Sequence, residues 1–431
     1  MRALLSPPAR ILIALVAGLL LGVAAARSGV AGLPVLLTLG ETVGGLWLDS
    51  LRMTIVPLLV ALLVTGIAAN AEAARAGGIA ARAVIAFAML LVCSATLAAL
   101  MIPALLSLFP LSAEAAAALR TALGQVAPAP TDTPGIASFL RSVVPTNPVA
   151  AAANDAILPL ILFTAVFGFA VTRLPDAPRR LLTDFFAAVV EAMLIIINWV
   201  LWLAPAGVLA LAFVVGARAG LGAFGALIHY VLIVSSVGVV IWLAGFLIGT
   251  LGGRVTLARF ARAAAPSQAV AISTQSSLAS LPSMLRGAET LGIPVSAAGV
   301  VLPLAVAIFR ATGPAMNLAV ALYVAHWAGI TLGPAPIAAG IATASITTLG
   351  AVSLPGQVSF VTSIAPICAA MGVPVELLGI LIAVETIPDI FRTLGNVSMD
   401  LGVTATVARG APRAAVDAAL DELVDPHPAA R

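Results

Sequence analysis

Charge is what this chain has least of: Asp, Glu, Lys and Arg together make up 9% of its 431 residues, against ~25% in soluble domains. With 61% hydrophobic residues, that scarcity excludes an ordinary soluble globular protein and predicts an all-α polytopic membrane protein. Lysine is absent, every basic residue being Arg, and no Arg cluster interleaves with the sparse aromatics, 5% of the chain. Nucleic-acid binding therefore has nothing to rest on. The two cysteines, Cys93 and Cys368, lie in apolar runs without ligand-like spacing, which argues against a disulfide or a metal site. The three histidines are scattered, with no nucleophile–base pair and no phosphate-cradling glycine loop. Neither an enzyme nor a cofactor is expected.

What is abundant is apolar length. Stretches near the ~20 residues that cross a bilayer run over 11–26, 51–69, 83–108, 149–171, 185–215 and 224–251. Between them Arg alternates. Arg75 and Arg82, then Arg173, Arg179 and Arg180, then Arg254, Arg259 and Arg262 fall on one side, while Arg27, Arg52, Arg120, Arg141 and Arg218 are spread singly on the other. The positive-inside rule then puts the amino terminus in the cytoplasm and fixes the topology through six helices; the chain is expected in the cell's inner membrane with its carboxyl terminus cytoplasmic as well. The start, with Arg2, Arg10 and an apolar run over 11–21, has the look of a signal peptide. The charge alternation nevertheless needs it as a retained first span. An external loop over 111–140 and a soluble cytoplasmic tail over 410–431 complete this reading.

Past Arg262 the apolar segments are interrupted. Ser273-Thr274-Gln275-Ser276-Ser277 and Thr347-Thr348-Leu349-Gly350 are polar middles with apolar flanks. Each leads to a Ser-Leu-Pro, at Ser280-Leu281-Pro282 and Ser353-Leu354-Pro355, and then to a longer apolar run. Hairpin then helix, twice, is a weak internal repeat, and paired interrupted segments point to a binding site in a membrane carrier. Two Pro-kinked helices are the plainer alternative, but a kink does not need the neighbouring hydroxyls. The last apolar run, 377–407, carries Glu385, Asp389, Arg392, Asn396 and Asp400. At ~100° per residue these fall within roughly 80° of one another on a helix. Ionisable groups at membrane depth cost about 3 kcal/mol each and normally face a solute or ion path.

The run Asp389-x-x-Arg392-Thr393-x-x-Asn396-Val397-x-x-Asp400 resembles the final-helix signature of the dicarboxylate/amino acid:cation symporters, the glutamate transporter family. Arg52-Met53-Thr54-Ile55-Val56-Pro57-Leu58, Ala204-Pro205-Ala206-Gly207-Val208, Ser276-Ser277 with Leu281-Pro282, and Val301-Leu302-Pro303-Leu304 agree in order and spacing. The resemblance implies eight transmembrane helices plus two re-entrant hairpins (260–291 and 337–371) with inverted repeats, in a homotrimer. Scaffold helices would occupy 1–75 and 141–220, and a mobile elevator domain 76–110 and 221–409. The solute would be a small anion, an acidic amino acid or a dicarboxylate. Arg392 would grip its side-chain carboxylate in a planar fork, or pair with Asp389 one turn away. Asp389 would hold an amino group, Asn396 would meet the main-chain end, and Thr393 would lie beside the pocket. Ser276 and Ser277 would present helix-end amides, or simply cap a broken helix. Gly350, Pro355 and Gly356 would shape a lid.

The departures are as telling. Where the family's seventh helix carries Asn-Met-Asp-Gly-Thr, this chain has Phe309-Arg310-Ala311-Thr312-Gly313; Ala307 and Ala351 stand where threonines are usual, and Gln275 where relatives place arginine. A hard cation such as Na+ needs oxygen ligands, and of the family's set Asn396 and Asp400 remain. Arg310 is therefore expected either to replace the sodium charge and pair with Asp400, or to be a second anion clamp. A degenerate, non-transporting relative is the remaining alternative. The coupling ion becomes H+ or none, with Glu385 the preferred proton carrier because no cation is evident beside it on its own helix, and Asp400 a second candidate. His229 and His326, near helix ends, read as interfacial residues. An anion-conducting channel and a substrate sensor without flux are the competing functions on the same fold.

Overall fold

The computed structural model describes residues 7–75, 78–111, 141, 143–154, 156–220, 222–350 and 356–409. Among these residues the regular structure is helical throughout, without strands. Six helical segments are long and apolar enough to cross a membrane, and three shorter apolar helices accompany them. The expected loop and tail lie outside the described residues, as does Pro355.

The first half begins with α1 (Pro7–Ser28), α2 (Leu33–Arg52) and α3 (Ile55–Arg75). A single span over 51–69 was expected, so α2 is an additional helix. Its Glu41, Asp49, two threonines and several glycines dilute the apolar pattern that would have announced it. Tertiary packing holds it instead: Trp47 is 5% exposed and its indole N–H donates to Val200 O at 3.0 Å, while Glu41 ion-pairs with Arg218. Then come α4 (Gly78–Leu108), α5 (Pro148–Ala153), α6 (Ile157–Val171), α7 (Asp176–Trp202), α8 (Ala204–Ala219) and α9 (Gly222–Leu251). Two expected spans are divided. That over 149–171 breaks after α5, which starts at an Asn147 side chain accepting from the Val149 and Ala150 amides. That over 185–215 breaks at Leu203, where Pro205 fits the first turn of a new helix but not the middle of an old one. Helices α1 and α8 approach backbone to backbone. A Cβ on Gly22 would lie 2.1 Å from Phe213 O, and one on Gly216 2.3 Å from Leu19 O. Small residues at such a seam let dispersion and weak hydrogen bonds act where no hydrophobic effect operates.

The second half is built twice over from one plan. Helices α10 (Leu257–Thr274) and α11 (Ser277–Leu291) pack on each other and are followed by α12 (Val295–Ile308) and α13 (Thr312–Trp327). Helices α14 (Pro334–Gly350) and α15 (Gly356–Met371) do the same and are followed by α16 (Leu378–Leu381) and α17 (Thr386–Val407). The expected single helix over 377–407 is thus interrupted at residues 382–385, where Ala383 N and Val384 N bond three residues back, to Ile380 O and Leu381 O at 3.2 and 3.1 Å. The seventh segment is broken in the matching place, between α12 and α13. Helix α17 runs through the middle, packed by α4, α9, α10, α11, α12 and α13, and every residue from 392 to 405 is buried. Its polar stripe therefore faces protein on all sides, as an expensive stripe must.

Candidate functional site

The turn before α17 and its first two turns carry the site. Glu385, Asp389 and Arg392 are 2%, 7% and 6% exposed. The Arg392 guanidinium is spread over three acceptors. Nη2 donates to Glu385 Oε1, which is also an ion pair; Nη1 donates to Asn317 Oδ1 at 2.6 Å; Nε lies 3.2 Å from Asp389 Oδ1. The other Glu385 oxygen, Oε2, accepts from the Tyr230 hydroxyl at 3.1 Å. A planar fork with five donors in fixed directions serves acceptors along three of its edges at once.

Next along α17, Asn396 holds the start of α13. Its Oδ1 receives the Thr312 amide at 2.9 Å and lies 2.8 Å from the Thr312 hydroxyl, which also reaches Arg392 O at 3.0 Å. Asn396 Oδ1 thus satisfies an amide at a helix start that would otherwise lack a partner, while the single Thr312 hydroxyl hydrogen is shared between two acceptors. Phe309, fully buried, stacks on Phe87 with centroids 4.4 Å apart. Hydrocarbon thus fills the place where the resemblance expects an oxygen ligand.

Two expectations about charge are corrected here. Glu385 does have a cationic neighbour: it pairs with Arg392 seven residues on, two turns along the same helical face, where the long arginine side chain reaches back toward the helix start. Arg310 does not form the anticipated pair with Asp400. The charges that bear on Arg310 are those of Arg392 and Asp389, whereas Asp400, 1% exposed, has a buried Oδ1 without a hydrogen-bond partner.

The remaining site residues are placed as follows. The Thr393 hydroxyl donates to Asp389 O at 2.9 Å, within its own helix. Ser276 caps α11, its Oγ accepting from Ala279 N at 3.2 Å, and Ser277 is the first residue of that helix. Between them and α10, Gln275 adopts a left-handed φ of 51° and its side-chain amide donates to Thr386 O at 3.3 Å. The α10–α11 tip is thereby tied to the first residue of α17. Gly350 and Gly356 end α14 and begin α15. Sequence reasoning missed Asn317 and Tyr230. The sequence signal for the second was rarity alone, since the chain has only two tyrosines. A separate cavity of about 580 Å³, lined among others by Arg52, Val56, Ala369, Pro374 and Glu376, lies away from this centre and is bordered by an Arg52–Glu376 ion pair.

A helical membrane protein with a doubled hairpin-and-broken-helix plan, closing around a buried arginine with carboxylates, is a solute transporter and not an enzyme. The family model of the sodium:dicarboxylate symporter family matches residues 8–410, and the chain belongs to that family. It is 29% identical over 361 residues to the proton/glutamate-aspartate symporter of Escherichia coli (strain K12), covering 82% of this chain and 81% of the relative. To the proton/sodium-glutamate symport protein of Bacillus subtilis (strain 168) it is 26% identical over 380 residues, 85% of each. To C4-dicarboxylate transport protein 2 of Ralstonia nicotianae it is 28% identical over 411 residues, 89% and 87% of the two chains.

Proposed function

We propose that this protein is a secondary active carrier of acidic amino acids or small dicarboxylates, driven by protons or by exchange and not by sodium. The observation that carries the reading is the Arg392 fork, dry and held by Glu385, Asp389 and Asn317. A carboxylate solute competes for the Nη2 edge that Glu385 occupies. Displacing an ionised glutamate into an apolar surround leaves an uncompensated charge, which costs several kcal/mol. A proton on Glu385 removes that cost, so solute and proton arrive together: each favours the other's binding by the same factor. Relatives named as symporters of glutamate and aspartate or as C4-dicarboxylate transporters support the substrate class.

Against sodium stand the two oxygens lost at Phe309 and Ala311 and the engagement of Asn396 Oδ1 by the Thr312 amide. Arg310, with its charge bearing on Arg392 and Asp389, supplies locally the positive charge a cation would bring. Movement follows the elevator scheme within a homotrimer: α14 and α15 act as the lid, the Ser276–Ser277 tip and the facing ends of α14 and α15 close around the solute, and both chain ends face the cytoplasm. The test is uptake of labelled aspartate and succinate into proteoliposomes under a sodium gradient or a pH gradient alone. Accumulation with the pH gradient and no sodium is expected. Strict sodium dependence would overturn the coupling, and currents that outrun saturable counterflow would instead favour a channel.

A further inference from the structure

Two buried side-chain amides lie beside the charged centre, and in both the donor end serves no protein acceptor. Asn317, in the second turn of α13, is 5% exposed, and Asn396, one turn after Arg392 on α17, is 4% exposed. A guanidinium only donates, so the Asn317 atom that meets Arg392 Nη1 is its oxygen, and the amide nitrogen is left for another partner. Asn396 likewise engages Oδ1 with the Thr312 amide. Elsewhere such nitrogens find protein acceptors: Asn154 Nδ2 turns back to Ala150 O at 2.9 Å, Gln268 Nε2 reaches Ser398 Oγ at 2.9 Å, and Gln275 Nε2 reaches Thr386 O at 3.3 Å. Neither Asn317 Nδ2 nor Asn396 Nδ2 has an acceptor among the described residues.

Helix α13 offers the Asn317 nitrogen nothing of its own. The side chains one turn before and after it on the same stripe, Gly313, Pro314, Val320 and Ala321, carry no acceptor. The stripe faces two other helices. It meets α17 through Arg392 and α14 through Gly313, where a Cβ would lie 3.1 Å from Thr348 Cγ2 and 3.2 Å from Thr348 Oγ1. The Thr348 hydroxyl itself donates to Ala344 O at 2.8 Å, within its own helix. Buried polar groups are nearly always paired, and one that is not calls for a reason. In an otherwise apolar, fully packed stretch of α13 a leucine would fill this place without posing that demand. The carbonyl end of Asn317 explains its contact with Arg392, and the other end points to a partner that brings acceptors of its own. A guanidinium with a pair of amide –NH2 groups beside it is a set of donors, and the group that answers such a set is a carboxylate.

We propose that Asn317 is a solute-binding residue of this carrier, its Nδ2 donating to the solute carboxylate that Arg392 grips. The assignment rests on the carrier reading above and adds to it a residue that the sequence did not single out. One amide then acts through both ends: Oδ1 steadies the guanidinium and Nδ2 completes the cradle around the bound carboxylate. Because the amide is neutral, this contact adds a hydrogen bond without adding a charge to desolvate or to balance with a proton. The group recognised is the carboxylate that acidic amino acids and dicarboxylates share, and a solute without one gives this donor nothing to meet.

Calorimetry on the purified protein with succinate and with aspartate, followed by a cryo-electron microscopy structure with the tighter-bound of the two, tests this. Asn317 Nδ2 should lie about 3 Å from a carboxylate oxygen of the solute. A bound solute that Asn317 does not touch overturns the assignment and leaves the carrier reading standing, whereas binding of neither solute overturns both. In Asn317→Leu, similar in volume but without donor or acceptor, the dissociation constant should rise about tenfold or more; an unchanged constant overturns the assignment. Asn317→Asp keeps an oxygen for Arg392 Nη1 and exchanges the donor for an acceptor, so it should bind the solute no better than Asn317→Leu. Tighter binding in Asn317→Asp than in Asn317→Leu would mark Asn317 as a support for Arg392 alone. Should either variant fail to fold, the distance measured in the natural protein still decides.

Discussion

Replacing Arg392 by Met should destabilise the protein by about 3–5 kcal/mol, the usual penalty for removing one partner of a buried ion pair. The structure sets why the figure belongs at this level. Side-chain exposures are 8% for Arg392, 3% for Glu385 and 10% for Asp389, so no water can take over from the guanidinium. Methionine fills the stem's volume but leaves two carboxylates and the Asn317 carbonyl facing hydrocarbon, with Arg310 the remaining charge that bears on Asp389. Adding Glu385→Gln removes one of those stranded charges, so the double variant should be less destabilised than the two single losses added together, by about 1–3 kcal/mol. Urea unfolding in detergent, followed by tryptophan fluorescence, measures all corners of this cycle. A loss below about 1 kcal/mol in Arg392→Met, or strict additivity with Glu385→Gln, would refute the claim that these groups act as one dry unit. Calorimetry on the same variant should show acidic ligands weakened roughly 10- to 100-fold, the worth of a charge-assisted contact; undiminished affinity would remove Arg392 from the binding site.

Asn396→Ala deprives the Thr312 amide of its acceptor and should cost about 1–2 kcal/mol, as lost helix caps do, with hydrogen exchange rising first at the start of α13; unaltered exchange there would contradict the cap. Asp400→Asn should be tolerated in unfolding assays, since its buried Oδ1 has no hydrogen-bond partner and no ion pair to Asp400 is seen among the described residues. A loss above about 1 kcal/mol would reveal a partner that matters. Gly216→Leu should prevent stable folding, because even a Cβ meets Leu19 backbone at 2.3 Å. Normal yield and melting temperature would show that the α1–α8 seam can open.

What was legible in the sequence was whatever polarity made visible against an apolar ground. The α17 stripe stood out because Asp389, Arg392 and Asp400 interrupt hydrocarbon, and the α10–α11 tip because five polar residues run together at Ser273–Ser277. Contacts made through the fold were not legible. Asn317 and Tyr230 are single residues in otherwise apolar helices, and nothing in their own neighbourhood says that one meets Arg392 and the other its partner Glu385. The Glu385–Arg392 pair escaped because seven residues is two helical turns, outside the i,i+3 and i,i+4 spacings of ordinary helical ion pairs, and only the length of the arginine side chain spans it. Helix α2 was missed for the opposite reason: its polar residues hid a helix that packing, not hydropathy, holds in place.

The glycine seam between α1 and α8 has a mechanical corollary. Surfaces that slide past one another need rounded side chains to ride over, and here carbonyls sit where a methyl group would not fit. Those two helices are locked in register, so whichever part of the molecule travels during a cycle, they travel or stand still as one piece. Any shear has to be found at a looser boundary.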